Sequence, residues 1–436
     1  LEPFFAEPFS LNRTYLSIAF PLFKVAFCRR SVHNLSATGR RLLLFPIKPE
    51  PYLNFAFLKS AVSLLQQLFI VSGYRRPMIE IDGSYLEGGG QVVRTALALS
   101  SITLQPFEIT SIRKGRPNPG LQPQHLACVK ALESLCNASS EGAELNSTDV
   151  KFYPGKPQSR TLSIDIGTAG SITLLLHAVL LPALFAPGKV RLKLTGGTDV
   201  LHSQPADYFR SVFLPQLARF GSCSFSLLQR GYFPKGNGKV ELEIRPLFRI
   251  ADYDTFADFH KSLQQQQNIG INMGERGKLL KITGVSHASA DLKAAEVAER
   301  QAHSAKTSVS QQLHKQNLSC SVAIQTEYSN SLSTGSGISL FAHFAAAGKD
   351  EPGQINPVIL GSDSLGERGK RAEAVGQEAA SALVKEISSG ACVDHYLADQ
   401  LIPLMAIAGS SKILTSQITN HCLTNIFVVE KFLGKC

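Results

Sequence analysis

The chain has 436 residues, 44% hydrophobic, 18% charged and 8% aromatic, which excludes a disulfide-stapled miniprotein and leaves room for two or three domains. Its 34 glycines and 22 prolines are ordinary for this length and exclude collagen and wholesale disorder. The formal charge of +10 suggests a nucleic-acid binder, but residues 1–77 hold ten Lys/Arg against three Asp/Glu, so any basic site in the remainder has to be local.

Eight cysteines, at 28, 128, 136, 223, 320, 392, 422 and 436, show neither CxxC nor zinc spacing. They read as reduced thiols of a cytoplasmic protein. No uninterrupted apolar run reaches about 18 residues, so no membrane span is expected.

Residues 1–77 carry 10 of the 25 phenylalanines, few acids and no sustained periodicity, and the first of three methionines is Met78. A transit peptide is one reading of this segment. The favoured one is a non-family extension without function, with Met78 as the first residue, because a strand pattern (Ile79-Glu80-Ile81-Asp82) follows at once.

From there the chain repeats one arrangement. Unit one has the Gly-rich turn Glu87-Gly88-Gly89-Gly90, a helix over 91–101, a strand over 106–112 and a second helix over 122–135. Unit two has Gly167-Thr168-Ala169-Gly170, a helix over 171–185, a strand over 189–194 and a helix over 206–220. Unit three has a helix over 396–408, a strand over 412–416 and a helix over 422–432. It is expected to open at 230–240 and to be interrupted by a separate domain. The domain reading is therefore 78–255 with 391–436 as the main body and 256–390 as the insert. The fold class is α/β (α+β): three repeated units of two helices on a four-stranded sheet, with a smaller α/β domain inserted in the third. Units one and two continue into strand-like sequence at 149–153 and 223–228, whereas unit three stops after its helix, so an unpaired sheet edge is expected. Gly-Glu-Arg-Gly-Lys occurs twice in the insert, at 274–278 and 366–370, and reads as solvated turns.

Four segments could carry chemistry. The loop 87–91 precedes a helix with Arg94 one turn in. Glycines there let a ligand approach the backbone, and the helix start offers N–H groups to an anion. The loop is neither a dinucleotide fingerprint nor a Walker A motif, and a capped tight turn remains the plain alternative. Glu87 beside a phosphate would make sense as a ligand for a divalent cation. The segment 112–125 concentrates Arg113, Lys114 and Arg116 on a Pro/Gly-stiffened turn, either a compact polyanion site or a solvated basic turn. In unit three the matching turn is 415–425, so His125 and His421 both lie at the start of a second helix. An imidazole there stays neutral, as a nucleophile requires, although either could serve as a cap. Finally, in His395-Tyr396-Leu397-Ala398-Asp399-Gln400 an aromatic followed one turn later by a carboxylate could grip a base or ribose, or could simply be a favourable first turn.

Together these residues resemble the RNA 3′-terminal phosphate cyclases over essentially all of 78–436. The motifs Glu-Gly-Gly-Gly-Gln-x-x-Arg, Arg-x-Gly-Arg-x-x-Pro-Gly, Gln-His-Leu, Leu-Ala-Asp-Gln and His-x-Leu-Thr-Asn occur in the family's order, and 230–240 resembles its Pro/Gly-rich signature. The resemblance implies three α/β repeats with a smaller domain inserted in the third. It implies ATP and Mg²⁺ or Mn²⁺ as cofactors, an RNA with a 3′-terminal phosphate as substrate, a covalent histidine–AMP intermediate and an RNA-ppA intermediate, and a 2′,3′-cyclic phosphate as product, with AMP and diphosphate released. His421 matches the nucleophile and Glu87 the metal-binding acid. Arg94, Arg113, Gln124 and His125 match residues around the phosphates, with Arg116 beside them. Tyr396 and Asp399 match the nucleotide pocket, with Gln400 next to them. A homodimer is compatible with the resemblance. Asn237 stands where the signature usually has glycine, and His395 where an acid is common.

Two rival readings use the same fold. A catalytically inactive cyclase-like scaffold, binding RNA or ribosome-assembly partners, would have lost His421, Glu87, Arg94 and Arg113, which are all present. An enolpyruvyl transferase would lack a nucleotidylated histidine, and the run of motifs argues against it.

Overall fold

The computed structural model describes residues 14–18, 77–86 and 88–435, the first five by backbone alone. Most of the 1–77 extension, and Glu87, lie outside the described residues. The first unit is strand β2 (Ile79–Asp82), helix α1 (Gly90–Thr103), strand β3 (Phe107–Thr110), helix α2 (Pro123–Cys136), and strands β4 (Ser139–Glu141) and β5 (Val150–Tyr153). Their sheet has the order β2-β3-β5-β4, with β2 and β3 parallel and the rest antiparallel. The second unit repeats this with β6 (Thr161–Asp165), α3 (Ile172–Leu184), β7 (Val190–Gly196), a helical stretch from Ala206 to Arg219, β8 (Gly221–Gln229) and β9 (Gly238–Pro246), in the order β6-β7-β9-β8.

The third unit contains helix α4 (Phe256–Gln264), strand β10 (Asn272–Met273), helix α7 (His395–Ala408), strand β15 (Ser411–Thr415) and helix α8 (Asn420–Leu433). Between β10 and α7 the chain makes a separate sheet, ordered β12-β11-β13-β14, from β11 (Leu279–Ser289), β12 (Ser321–Ser329), β13 (Ser336–Phe344) and β14 (Ile359–Leu365). Helices α5 (Val297–His314) and α6 (Ala372–Ser388) pack on each other and on this interposed sheet.

Two expectations change. The stretch 230–240 does not open the third unit. It is the turn of the β8–β9 hairpin, because β9 pairs with both β7 and β8 of the second sheet. Nor is β15 left with a bare edge. Strand β1 (Thr14–Ile18) runs antiparallel along it, Thr14 opposite Thr415 and Ile18 opposite Ser411, while β10 lies parallel on its other side. In this third sheet β1 takes the place that β5 and β9 take in the first two.

Periodicity explains the layers. In β7, Val-Arg-Leu-Lys-Leu alternates, so Val190, Leu192 and Leu194 enter the core while Arg191 and Lys193 face water. On that wet face Arg191 meets Glu241 of the antiparallel partner at 2.6 Å, and Lys189 meets Glu243 at 3.7 Å. Such exposed pairs are screened by solvent and contribute little. They define register more than stability, since a one-residue slip would bury the charges. Helix α1 is buried almost all round, packed against α2, α3 and α8. Arg94 is its one residue that is not buried. Its chain leaves through Leu104 in the left-handed region (φ 56°), and α2 ends likewise at Asn137 (φ 53°). Asn237 has φ 59°, a conformation that asparagine tolerates better than other side chains, which is why it can stand in a glycine's place.

Arg230, only 2% exposed, joins the second unit to the interposed sheet. Its guanidinium donates to Asp199 at 3.1 Å, to Asp207 at 2.5 Å and to Glu327 of β12 at 2.5 Å. Tyr232 shares a hydrogen bond of 2.9 Å with Nδ1 of His287 on β11, whose Nε2 lies 3.2 Å from Asp199. Burial opposes the charge on Asp199, but His287 and Arg230 outweigh it and hold the carboxyl well below the usual range. Truncating one partner of such a buried set leaves the others uncompensated, at a cost of about 3–5 kcal/mol. Arg230→Met should therefore lower the free energy of chemical unfolding by about that amount, and Arg230→Lys should recover little of it, because an ammonium cannot serve three carboxylates in a plane.

Candidate active site

Five helices turn their first residues or caps into one cleft of about 1100 Å³: α1 at Gly90, α2 at Gln124, α3 at Ser171, α7 at His395 and α8 at Thr419. The repetition causes this, because each strand-to-helix crossover delivers its helix start to the same edge of its sheet. Unpaired N–H groups and helix dipoles then favour an anion in the space between.

His125 shows what that anion must supply. It is the third residue of α2, and its Nδ1 accepts from the Gln122 N–H at 3.0 Å, closing a reciprocal cap. The proton of the neutral ring therefore sits on Nε2, which is buried and has no hydrogen-bond partner among the described residues. Burial first, and then Arg94 and Arg113, push the imidazole pKa down to about 3, so it stays an uncharged donor. Gly90 makes room for it, since a Cβ there would stand 1.8 Å from His125 Nε2. A donor held this way, beside two arginines and against a backbone with no side chain, fits a phosphate oxygen.

The cations are arranged to match. Arg94 protrudes from the buried helix α1 into the cleft. Arg113 takes a left-handed backbone (φ 56°) and folds its guanidinium back to donate to the Asn118 carbonyl at 3.2 Å, stiffening the basic turn. The Arg116 guanidinium overhangs the glycine loop, 3.6 Å from where a Gly89 Cβ would be. Gln124 accepts from the Ser171 N–H at 3.2 Å with its side-chain oxygen, so the group it has left for a ligand is its NH₂.

His421 is the second residue of α8, whose first turn Thr419 caps by accepting from the Cys422 N–H at 3.2 Å. One turn on, buried Asn425 accepts from Thr95 of α1 at 2.6 Å and donates to the Asp399 carbonyl of α7 at 2.6 Å. The helix bearing His421 is thus locked to the helix bearing Arg94 and to the one bearing Asp399. Gln91 adds a bond of 3.1 Å to the Asp399 carboxylate. Burial raises the Asp399 pKa to about 7, against the opposing effects of Gln91 and Arg94.

Tyr396, 39% exposed, stands on the first turn of α7 with the His395 ring 3.9 Å away and Tyr208 edge-on at 6.2 Å. Below them Asp394 caps α7, accepting from Tyr396 and Leu397 N–H, from the Tyr208 hydroxyl at 2.6 Å and from Gly361 of β14 at 2.9 Å. His395 turns to Glu386 of α6 at 2.6 Å. Burial works against the charged imidazole, but Glu386 and Asp394 outweigh it and raise its pKa. An acid at this position would instead face Glu386.

Nine of the residues singled out from sequence line this cleft: Arg94, Arg113, Arg116, Gln124, His125, Tyr396, Asp399, Gln400 and His421. Glu87 is outside the described residues, so its neighbour Gly88 marks the loop. Counting from the caps corrects one equivalence: Gln124, not His125, occupies in α2 the place His421 has in α8. Sequence reading missed Asn425 as the tie between helices, Asp394 as the buried cap, His177 of α3 and Asp363 of β14, which also line the cleft or brace it. An Asp directly before an apolar helix pattern is a readable cap signal. Nothing local marks Asp363, which the interposed sheet delivers from far along the chain. Among the described residues one group has metal-ligand spacing, Asp199, Asp207 and His287, and the Arg230 guanidinium already sits between its carboxylates.

The model of the family described as RNA 3′-terminal phosphate cyclase matches residues 85–436. The chain is 43% identical over 359 residues to the RNA 3′-terminal phosphate cyclase of Pyrococcus abyssi, covering 82% of this chain and 94% of that one. It is 43% identical over 363 residues to the protein of the same name from Ignicoccus hospitalis, covering 82% and 93%. To that of Archaeoglobus fulgidus it is 40% identical over 361 residues, covering 82% and 96%. By family match, identity and coverage, this chain belongs to the RNA 3′-terminal phosphate cyclase family.

Proposed function

We propose that this enzyme converts an RNA 3′-terminal phosphate to a 2′,3′-cyclic phosphate at the expense of ATP, with His421 as the nucleophile. The observation that carries this reading is the meeting of His421 with Arg94, Arg113 and the His125 donor, unpartnered among the described residues, in one cleft of helix starts.

The steps follow from what these side chains can do. A ring nitrogen of neutral His421 attacks the α-phosphorus of ATP. An N–P bond forms, the bond to the β-phosphate oxygen breaks, and diphosphate leaves. A 3′-phosphate oxygen of the RNA then takes the adenylyl group from the histidine, giving RNA-ppA. The vicinal 2′-OH attacks the 3′-phosphorus and loses its proton, and AMP departs. Arg94, Arg113 and Arg116 meet the charge that spreads over the phosphoryl oxygens, and His125 and Gln124 add neutral donors. Tyr396 offers a face to the adenine, while Asp399 and Gln400 face the nucleoside. The last step is intramolecular, which favours it strongly. Glu87 would hold Mg²⁺ or Mn²⁺, which supplies further charge neutralisation when bound. Burial pushes the Cys128 and Cys136 thiols up to about 12, which suits reduced, unreactive cysteines of a cytoplasmic protein. A homodimer is compatible with all of this.

His421→Ala should abolish acid-labile labelling of the protein by α-labelled ATP while leaving its circular dichroism unchanged. Label retained by this variant would transfer the role to another residue. Unlabelled but folded wild-type protein would instead favour the scaffold reading. Gly90→Ala should displace His125 and lower the labelling rate about 10²-fold, the order expected when a catalytic group shifts by about 1 Å. Asp399 gives a pH test. Its folded-state pKa of about 7 lies above the unfolded value, so the stability linked to its proton is fully present below the unfolded pKa and lost as pH rises through about 7. Relative to Asp399→Asn, the wild type should lose about 1 kcal/mol of unfolding free energy between about pH 6 and about pH 8.

A further inference from the structure

The cleft does not end at the nucleotide side. Its far arm is lined by Leu201 and Phe233 from the second unit and by Glu367 and Lys370 from the turn after β14. Phe233 is 73% exposed and Leu201 60%, although both belong to a cleft wall. Neither sits on a slack loop. Thr198 N–H donates to the Gly231 carbonyl at 2.9 Å, Asp199 and Tyr232 form a parallel bridge, and Lys235 N–H donates to Ser333 at 3.0 Å. Directly beneath lies the buried Arg230 with its carboxylates. A rigid, largely buried base therefore presents two apolar side chains to water.

Glu367 and Lys370 of that lining belong to the second Gly-Glu-Arg-Gly-Lys, residues 366–370. The first copy is internal bracing: Arg276 donates to the Ala391 carbonyl at 2.6 Å and covers the Phe344 ring at 4.2 Å. The second copy faces the cleft. Lys370 spends its three ammonium hydrogens on the Leu365 carbonyl at 3.2 Å, Ser364 at 3.3 Å and Glu378, while Arg368 is exposed on the same turn. Lys235 is exposed beside Phe233.

We propose that this arm receives the 3′-terminal nucleotides of the RNA substrate, with a base stacked on Phe233 against Leu201 and the strand's phosphates along Arg368 and Lys235. The inference rests on the reading of the site given above and deepens it. Aromatic stacking flanked by cations binds single strands with little regard to sequence, because every base has a π-face. That suits an enzyme that must recognise an end. The arm is continuous with the catalytic cleft, so a strand lying in it would carry its terminal phosphate toward His421.

The test separates the two half-reactions. Wild type, Phe233→Ala, Phe233→Tyr and Arg368→Ala are labelled with α-labelled ATP, and transfer of the label to a 3′-phosphorylated oligoribonucleotide is followed in single turnover. Phe233→Ala should raise the RNA concentration for half-maximal transfer about tenfold, with the ATP dependence of self-labelling unmoved, and Phe233→Tyr should restore it. Arg368→Ala should flatten the logarithmic salt dependence of RNA use by about 0.7. An unchanged RNA requirement in Phe233→Ala would overturn the proposal, and so would a raised ATP requirement, which would assign the ring to the nucleotide. Wild-type protein that takes no label would overturn the reading of the site, and the subsite with it.

Discussion

A guanidinium out of reach of water is tolerable only where carboxylates surround it, and Arg230 imposes that condition on three parts of the chain at once. Asp199 comes from the loop after β7, Asp207 from the helical stretch that follows, and Glu327 from the interposed sheet. Asp199 and Asp207 could not remain buried without the arginine, nor the arginine without carboxylates, and the exposed Glu327 reaches it from the interposed sheet. The interposed sheet is therefore positioned by charge as well as by apolar contact, and its strand β14 brings Gly361 under the Asp394 cap and Asp363 into the cleft.

The cleft has the opposite character. Burial is the larger cause of the depressed pKa of both Arg94 and Arg113, with Arg113 adding to it at Arg94 and Arg116 at Arg113, and Arg94 and Arg113 both depress that of His125. Left to itself, such a site stores like-charge repulsion and a buried donor unpaired among the described residues, and proteins accept those costs where a ligand relieves them. The acids respond in kind. Asp363 and Asp399 are both raised to about 7, burial being the main cause for each, so near neutrality neither fully cancels the field that an incoming anion meets.

Much of this was legible in the sequence, for physical reasons. Glycine beside a helix start, arginines on a proline-stiffened turn and histidine at a helix start are local patterns whose chemistry is set by neighbours in the chain. Residues 230–240 misled because a Pro/Gly-rich opening looks alike whether it begins a unit or turns a hairpin, and only the pairing of β9 with β7 decides. Asp363 and Glu327 were out of reach, since their roles depend on where a whole sheet docks. The pairing of Thr14–Ile18 with β15 was likewise invisible, because an isolated five-residue strand in a segment without periodicity carries no signal of its partner.

Counting from the caps shows how repetition served the chemistry. The second helical position of α2 holds Gln124 and that of α8 holds His421. Four residues on, the first helix has buried Cys128 and the second has Asn425. The same scaffold thus places a neutral donor in one unit and, in the other, the histidine proposed as the nucleophile. The difference reaches the second turn: Cys128 packs as a small apolar group near Arg94, whereas Asn425 binds α1 and α7 together. A nucleophile must hold its nitrogen in line with the bond it breaks. The polar tie appears in the unit whose first turn has to stay still.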